Sequence, residues 1–331
     1  MHDVVIRGGT VVDGSGARPR AADVAFTGGV ITAVTEPGQA GPARRTIDAD
    51  GLLVTPGFVD VHTHYDAQAT WDPYLTPSSW HGVTTAVMGN CGVGFAPAAP
   101  DRHEWLIELM EGVEDIPGAA LTEGIQWGWE SFPEYLDALE AREYALDIGA
   151  QVPHGAVRAY VMGERGAANE DATADDIERM AALVGEGLRA GALGFTTSRT
   201  SLHRSKSGDL VPGTFANADE LLGIGEAMAR VGHGVFQFAP EHAGLLDEFA
   251  WMRELASRTG RTVSVNLSQT DRAPDLWRDV LAAFDTARQD GVSIVGQVHG
   301  RTVGLLMCLE GSYHPLMMHP AWPRLAAMPL A

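Results

Sequence analysis

Alternating apolar and polar positions dominate the first fifty residues, and they predict short β-strands. The segments "DVVIRGGTVVDG" and "ADVAFTGGVITAVTE" each place a Gly-Gly pair between runs of β-branched residues. Such a pair between two alternating runs is typical of a β-hairpin. The pattern therefore predicts a small β-rich domain over residues 1–55.

Beyond residue 56 the pattern changes to apolar runs that alternate with helical segments of 10–17 residues. A long insertion rich in Trp, Glu and Pro covers roughly residues 95–142. Strands separated by helices indicate parallel βαβ units. The strand-like runs are "GFVDVH", "GVTTAVMGNC", "ALDIGAQVP" with "AVRAYVMG", "ALGFTTS", "GVFQFAP", "TVSVNLS" and "VSIVGQVHG".

These runs amount to seven strands, and they predict a (β/α)8-type TIM barrel over residues 56–331 that lacks its last strand. A barrel with seven strands leaves two exposed parallel edges, which promote aggregation. We therefore expect the chain to be part of something longer or to be completed by a partner. A homo-oligomer is one form that such a partnership could take.

Composition narrows the class of protein. A net charge of −20 argues against a nucleic-acid partner, since a basic surface is needed to bind a polyanion. No apolar stretch reaches the ~18–20 residues that span a bilayer, and the N-terminus does not resemble a signal peptide. The two cysteines are too few for a disulfide framework. We therefore predict a cytoplasmic protein without a membrane partner.

The strongest chemical signal is the segment "GFVDVHTHYD", in which two histidines follow a strand-like run. Alternation along a strand would send His62 and His64 to the same face. Cys91 ends the next strand, in "VMGNCG", and active sites of such barrels lie at the carboxyl ends of the strands. These three side chains suit Zn²⁺ or another divalent transition metal. Asp66 could orient one imidazole, or it could be an exposed loop acid.

The segments "VTPGFVDVHTHYDAQ", "GVTTAVMGNCGVG" and "GALGFTTS" together resemble the amidohydrolase superfamily, in its N-acyl-D-amino-acid deacylase (D-aminoacylase-like) branch. The resemblance implies a barrel of the metal-dependent hydrolase kind and a β-sandwich built from both ends of the chain. It implies a hydrolase of amide C–N bonds that deacylates a small-molecule substrate, an N-acyl amino acid. His62, His64 and Cys91 map onto metal-binding positions of that family.

The sequence departs from this family in two places. The resemblance implies metal-binding histidines at the tips of the fifth and sixth barrel strands, but here those tips read "FQFAPEH" and "VNLSQT". No histidine stands there unless His242 reaches back from its loop. A catalytic aspartate is implied on the eighth strand, which would lie beyond Ala331. We therefore predict no catalytic base within the chain.

The loop "TTSRTSLHRSKSGDLVPGT" supplies the candidate substrate-binding residues. Arg199, His203 and Arg204 could hold a substrate carboxylate, for which a guanidinium has bidentate geometry. A solvated basic loop explains them equally well. Lys206, the only lysine, lies beyond the fourth barrel strand, which argues against a carboxylated-lysine centre of the hydantoinase type. His299 ends the seventh strand and is a further candidate ligand or acid–base group.

Three hypotheses follow from the sequence. The first is a metal-dependent hydrolase of an N-acyl amino acid. The second is another amidohydrolase that acts on cyclic amides or imides. The third is a truncated, non-catalytic relative that keeps the fold without the chemistry. Metal content separates the first two from the third.

Overall fold

The computed structural model describes residues 1–298, 300, 307, 309, 314–317 and 319–328 of the 331-residue chain. It divides into two compact units, Met1–Phe58 and the chain from Val59 onward. Within the described residues, no helix has both the length and the apolar character that crossing a membrane would require.

The first unit is a five-stranded sheet. Its strands are β1 (His2–Val11), β2 (Arg20–Thr27), β3 (Val30–Thr35), β4 (Ala43–Asp48) and β5 (Leu53–Val54). The order is β3-β2-β1-β4, with β5 also paired to β1. The β1–β2 and β2–β3 pairs are antiparallel, as the Gly-Gly turns predict, while β4 and β5 run parallel to β1.

A buried carboxylate connects three parts of this first sheet. Asp23 is fully buried and accepts hydrogen bonds from the backbone N–H groups of Gly8 and Gly38, both at 2.9 Å. The Arg7 guanidinium donates to the same side chain at 3.2 Å. Because every one of these donors neutralises or solvates the charge, the carboxylate can be buried without a large desolvation penalty.

The second unit contains two sheets. Its strands are β6 (Phe58–Asp60), β7 (Val83–Met88), β8 (Asp147–Ala150), β9 (Val152–Pro153), β10 (Gly194–Arg199), β11 (Val235–Pro240), β12 (Thr262–Asn266) and β13 (Ile294–Gln297). One sheet has the order β6-β7-β8 and the other β13-β12-β11-β10-β9. The register is parallel between β7 and β8 and between all neighbours from β9 to β13.

Helices connect these strands. The α-helices are α1 (His103–Glu114), α2 (Gly118–Gly124), α3 (Phe132–Glu140), α4 (His154–Met162), α5 (Glu164–Ala167), α6 (Ala174–Ala190), α7 (Ala218–Val231), α8 (Phe249–Thr259), α9 (Leu276–Gln289) and α10 (Trp322–Ala326). Short 3-10 helices cover Gln68–Thr70, Ser78–His81, Asn90–Gly92 and His242–Glu248. The prediction of an α/β fold with parallel sheets is confirmed.

Capping residues set the boundaries of the helices α6 and α7. Thr173 and Asp176 form a reciprocal capping box at the start of α6, and Gly191 follows its last residue. Asn217 caps α7, and Gly232 ends that helix in the left-handed region. Side-chain oxygens satisfy the first free N–H groups of a helix, while glycine tolerates the backbone turn that ends it.

The segment "AVRAYVMG" was expected to be a strand, and that prediction is wrong, because it forms most of α4. This helix begins after Pro153 and is buried on nearly every side. A helix without a polar face shows no period of 3.6 residues, so a short apolar run cannot be distinguished from a buried strand.

Candidate metal centre

The histidine pair lies in a loop just beyond β6. The strand ends at Asp60, so His62 and His64 follow it rather than belonging to it. Their rings are 5.4 Å apart and inclined by 63°. Together with Cys91 they offer three ligand atoms that all lie within 4.8 Å of one another. The structure therefore brings the three predicted metal-binding residues together.

The turn after β7 sets the position of Cys91. Asn90 is fully buried, and its side-chain amide donates to the carbonyl of Thr63, the residue between the two histidines, at 3.2 Å. The same amide donates to the carbonyl of Val87 at 2.9 Å, which also accepts the Thr63 backbone N–H at 2.9 Å. Asn90 thus connects the "HTH" and "GNCG" segments directly. His62 Nε2 and Cys91 Sγ consequently lie 3.2 Å apart.

The "GNCG" turn depends on left-handed backbone at three positions, with φ of +83° at Gly89, +55° at Cys91 and +73° at Gly92. A Cβ atom on Gly89 would lie 2.2 Å from the backbone oxygen of Gln151. Glycine is the residue that adopts this conformation without strain, and no side chain fits so close to a neighbouring strand.

We expect Gly89→Ala to lower the free energy of unfolding by about 2–4 kcal/mol, because it adds backbone strain to a steric clash. Urea denaturation would measure the change. Gly232→Ala is the matched control, since Gly232 has φ of +95° but no heavy atom within 4 Å of the point that a Cβ would occupy. An equal loss in both variants would show that the contact with Gln151 has no effect.

Burial determines the protonation of the cluster. It lowers the pKa of His64 well below its usual value, and the nearby His62 and His203 lower it further. His64 is therefore neutral and keeps a lone pair for a cation. Burial likewise raises the pKa of the Cys91 thiol well above its usual value, with an added effect of Glu114. A bound dication would reverse this, since a coordinating thiol loses its proton.

Two carboxyl groups lie beside the three donors. Burial raises the pKa of Asp66 to about 7 and that of Glu114 to about 8, and the Asp66 charge contributes to the second shift. Among the described residues, neither carboxyl pairs with a lysine or arginine. Two residues of the segment after β6 each have a buried side-chain atom without a hydrogen-bond partner: Asp66 Oδ2 and His64 Nδ1. Buried acids and neutral imidazoles around one thiol fit a divalent cation.

Three side-chain amides approach the cluster from β11, β12 and β13. Gln237 Nε2 donates to Asn266 Oδ1 at 3.0 Å, and Asn266 Nδ2 lies 3.9 Å from Cys91 Sγ. Gln297 Oε1 lies 3.0 Å from His62 Nδ1. Asn266, the last residue of β12, therefore presents an amide toward Cys91 at a strand end where the resemblance implied a histidine, and Gln237 on β11 supports that amide. Gln297 holds the ring of His62 through the nitrogen opposite the one that contacts Cys91.

The candidate substrate residues after β10 occupy different environments. His203 Nδ1 lies 2.9 Å from Ser198 Oγ, and burial together with His62 and His242 lowers its pKa to about 4. The Arg199 guanidinium donates to Glu248 at 2.9 Å and to the Ala216 carbonyl at 2.6 Å. The structure thus places His203 near the cluster, while two donors of Arg199 are already bonded within the fold.

The remaining basic residues of this loop are exposed. Arg204 donates to the carbonyls of Ser201 and Gly208. Lys206 is 63% exposed and pairs with Glu111 at 2.8 Å. The single lysine is therefore not among the residues that surround His62 and Cys91. The predicted candidate His299 lies outside the described residues, as does Cys308.

Sequence reasoning missed Glu114 and Gln297 at this site. Glu114 ends α1 inside the long insertion, and its approach to His64 has no local sequence signal. Gln297 could have been found, because it is the last residue of β13. Its place at the carboxyl end of a parallel strand is where functional side chains gather.

Comparison with known proteins identifies the family to which the chain is similar. A family model described as the amidohydrolase family matches residues 45–321. A D-aminoacylase from Alcaligenes xylosoxydans xylosoxydans is 36% identical over 195 residues, which are 59% of this chain and 37% of that protein.

Two solved structures are also similar. One is a D-aminoacylase studied for the functional role of its binuclear metal center, with a TM-score of 0.74 and 28% identity. The other is an N-acyl-D-glutamate deacylase from Bordetella bronchiseptica complexed with zinc and a phosphonate inhibitor, with a TM-score of 0.73 and 29% identity. Each match covers 91% of this chain but 59% of the other. The chain therefore spans less than two thirds of the length of these relatives.

Proposed function

We propose that the metal centre of this chain, which belongs to the amidohydrolase family, hydrolyses the amide bond of an N-acyl-D-amino acid. The observation that carries the proposal is the convergence of His62, His64 and Cys91 within 4.8 Å. The family membership confirms the predicted resemblance. The similarity to D-aminoacylase and N-acyl-D-glutamate deacylase supports the substrate class.

His62, His64 and Cys91 would hold the cation, with Zn²⁺ as the proposed metal. When bound, such a cation polarises an amide carbonyl and lowers the pKa of water to about 7. The chain's own contribution is to present two neutral imidazoles and one thiol in fixed positions. Asn90 fixes the thiol relative to the histidines, and Gln297 orients the ring of His62. Partners of this kind usually improve both metal affinity and ligand geometry.

His203 is the proposed contact for the substrate. Its ring lies near the cluster and its Nδ1 lies 2.9 Å from Ser198 Oγ, so Nε2 would be the atom that contacts a substrate. Arg199 stays a prediction as a carboxylate-binding residue, and it would have to exchange its contacts with Glu248 and Ala216 for the substrate. We assign no catalytic base, in keeping with the expectation from the sequence.

The finer features of the fold are part of the proposal. The order of the parallel strands supports a barrel, because the side chains of His62 after β6 and Gln297 at the end of β13 meet at 3.0 Å. We also propose that the first unit forms part of a β-sandwich. A cytoplasmic location and a homo-oligomeric state are proposed on the grounds given by the sequence, and Cys91 is a free thiol.

The decisive assay compares metal-loaded and metal-stripped chain on N-acetyl-D-glutamate, N-acetyl-D-methionine, their L enantiomers and a hydantoin. We expect release of the free D-amino acid by the loaded chain alone, with the L enantiomers about tenfold or more slower. Elemental analysis would report the metal content in parallel. Ring opening of the hydantoin without deacylation would favour the cyclic-amide hypothesis. Absence of stoichiometric metal would favour the non-catalytic relative.

A further inference from the structure

The loop after β10 folds as a small hairpin that carries His203. Arg204 and Leu210 form an antiparallel bridge, and the backbone N–H of Val211 donates to the carbonyl of His203 at 3.3 Å. We call residues 203–211 the substrate hairpin. His203 lies at its base, so the position of the His203 ring depends on what holds the hairpin in place.

Helix α1 supports the tip of the substrate hairpin at Gly112. A Cβ atom on Gly112 would lie 2.5 Å from the backbone oxygen of Arg204 and closer still to the backbone of Ser205 and Lys206. The backbone N–H of Lys206 also donates to the carbonyl of Glu108, one turn earlier in α1, at 3.3 Å. Glycine weakens a helix relative to alanine, but here it permits a contact between two backbones that any side chain would block.

Asn169 supports the returning side of the same hairpin. Its Nδ2 donates to the carbonyls of Leu210 at 3.1 Å and Val211 at 3.2 Å, and its Oδ1 accepts the backbone N–H of Gly213 at 2.8 Å. The backbone of Asn169 is left-handed, with φ of +57°. Asparagine adopts that conformation more readily than most residues with a side chain. The amide is thereby bonded to the backbone at three positions of the loop.

The substrate hairpin has little apolar core of its own. Arg204 and residues 206–209 are exposed, and Val211 is the one buried hydrophobic side chain of this segment. A segment with so few buried apolar contacts opens locally at a small cost in free energy. The contacts with Gly112 and Asn169 therefore set how much of the time the hairpin has the position that the structure shows.

We propose that Gly112 and Asn169 are positioning residues for substrate binding, which act by holding the substrate hairpin where His203 lies beside the metal centre. The inference rests on the proposed function in one respect, namely that His203 contacts the substrate. Neither residue belongs to the three candidate metal ligands. Their replacement is therefore expected to change substrate binding and to leave the metal content unchanged.

Cleavage by a lysine-specific endoprotease tests the support of the hairpin without relying on catalysis. Lys206 is the only lysine of the chain, so the protease has a single site, at the tip of the hairpin. We expect Gly112→Ala and Asn169→Gly to be cleaved about 5–30-fold faster than the parent chain, since the cleavage rate follows the population of the open segment. Asn169→Gly keeps a residue that tolerates left-handed backbone and removes only the side-chain hydrogen bonds.

Steady-state kinetics on N-acetyl-D-glutamate and N-acetyl-D-methionine test the link to the substrate. We expect KM to rise about tenfold in both variants while kcat stays within about threefold, because a lost contact that is equal in the ground state and the transition state affects KM alone. Elemental analysis should give the metal content of the parent chain.

Gly185→Ala serves as the control for adding a methyl group to a helical glycine. Gly185 lies in α6, and the heavy atom nearest to an added Cβ would be Arg189 Nη1, the end of a flexible side chain, at 3.3 Å. We expect its cleavage rate and KM to equal those of the parent chain. Circular dichroism would show that each variant is folded, and Asn169→Gly decides the proposal if Gly112→Ala is not.

Two results would overturn the proposal. One is cleavage of the folded variants at the rate of Gly185→Ala. The other is faster cleavage with an unchanged KM, since the hairpin would then be held without any effect on the substrate. A parent chain that holds metal but deacylates neither compound would overturn the proposed function alone, and the cleavage rates would then decide by themselves whether Gly112 and Asn169 hold the hairpin.

Discussion

Replacing His62 with alanine is expected to abolish both stoichiometric metal binding and hydrolysis. The side chain contacts Cys91 through Nε2 and Gln297 through Nδ1, so its removal deletes one donor and releases two neighbours. We expect kcat/KM to fall by roughly 10³-fold or more, which corresponds to about 4 kcal/mol of transition-state stabilisation. Elemental analysis and steady-state kinetics would measure the two effects.

His233→Ala provides the control, because His233 is an exposed histidine that follows α7. Its metal content and kcat/KM should equal those of the parent chain. The interpretation of the cluster would be refuted by a His62→Ala chain that retains one equivalent of tightly bound metal and its full rate. Loss of activity with metal retained would instead assign His62 to the substrate.

Replacing Glu220 with alanine should lower the free energy of unfolding more than replacing Gly89 with alanine. Glu220 is fully buried, and its carboxylate receives Arg158 Nη1 at 2.5 and 2.6 Å and contacts His154 Nε2 at 2.8 Å. The Arg158 side chain is 1% exposed. The substitution would leave a buried guanidinium without its anion, which costs about 3–5 kcal/mol. Urea denaturation monitored by tryptophan fluorescence would report the change in the free energy of unfolding.

Two further variants make this result specific. Glu226→Ala, on the same helix, removes one of the two carboxylates that pair with Arg258 at the exposed surface and should change stability by less than about 1 kcal/mol. The double variant Arg158→Met with Glu220→Leu should recover much of the loss, since it removes both charges together. A single variant Glu220→Ala as stable as Glu226→Ala would show that the buried pair does not stabilise the fold.

The sequence predicted where the candidate metal centre lies, but it did not predict all of the residues that surround it. The "HTH" and "GNCG" segments follow the neighbouring strands β6 and β7, and the sequence predicted parallel strands, whose carboxyl ends meet at one edge. That rule predicted that His62, His64 and Cys91 would lie together. The argument from alternation along a strand does not apply to the two histidines, because the strand ends two residues before His62, at Asp60.

What the sequence could not predict were contacts made by segments without a regular period. Glu114, at the end of α1 in the long insertion, contacts His64, and nothing in the order of the insertion's residues predicts that contact. The helix α4 was mistaken for a strand because its burial on all sides removes the polar face that reveals a helix. The helices α6 and α7, by contrast, have clear start and stop signals in their capping residues and terminal glycines, and they agree with the predicted alternation of strands and helices.

The hydrogen bond between His62 and Gln297 joins residues that are 235 positions apart in the chain. A local peptide containing the two histidines would therefore lack the contact that orients the ring of His62, and the arrangement of the centre is complete only once β13 has docked. The free energy of metal binding would then contribute to the free energy of unfolding of the whole second unit, and not only to the stability of the loop that carries the histidines. At saturating metal, binding would stabilise the folded state. The second unit of the metal-free protein would therefore unfold at a lower temperature than that of the metal-bound protein.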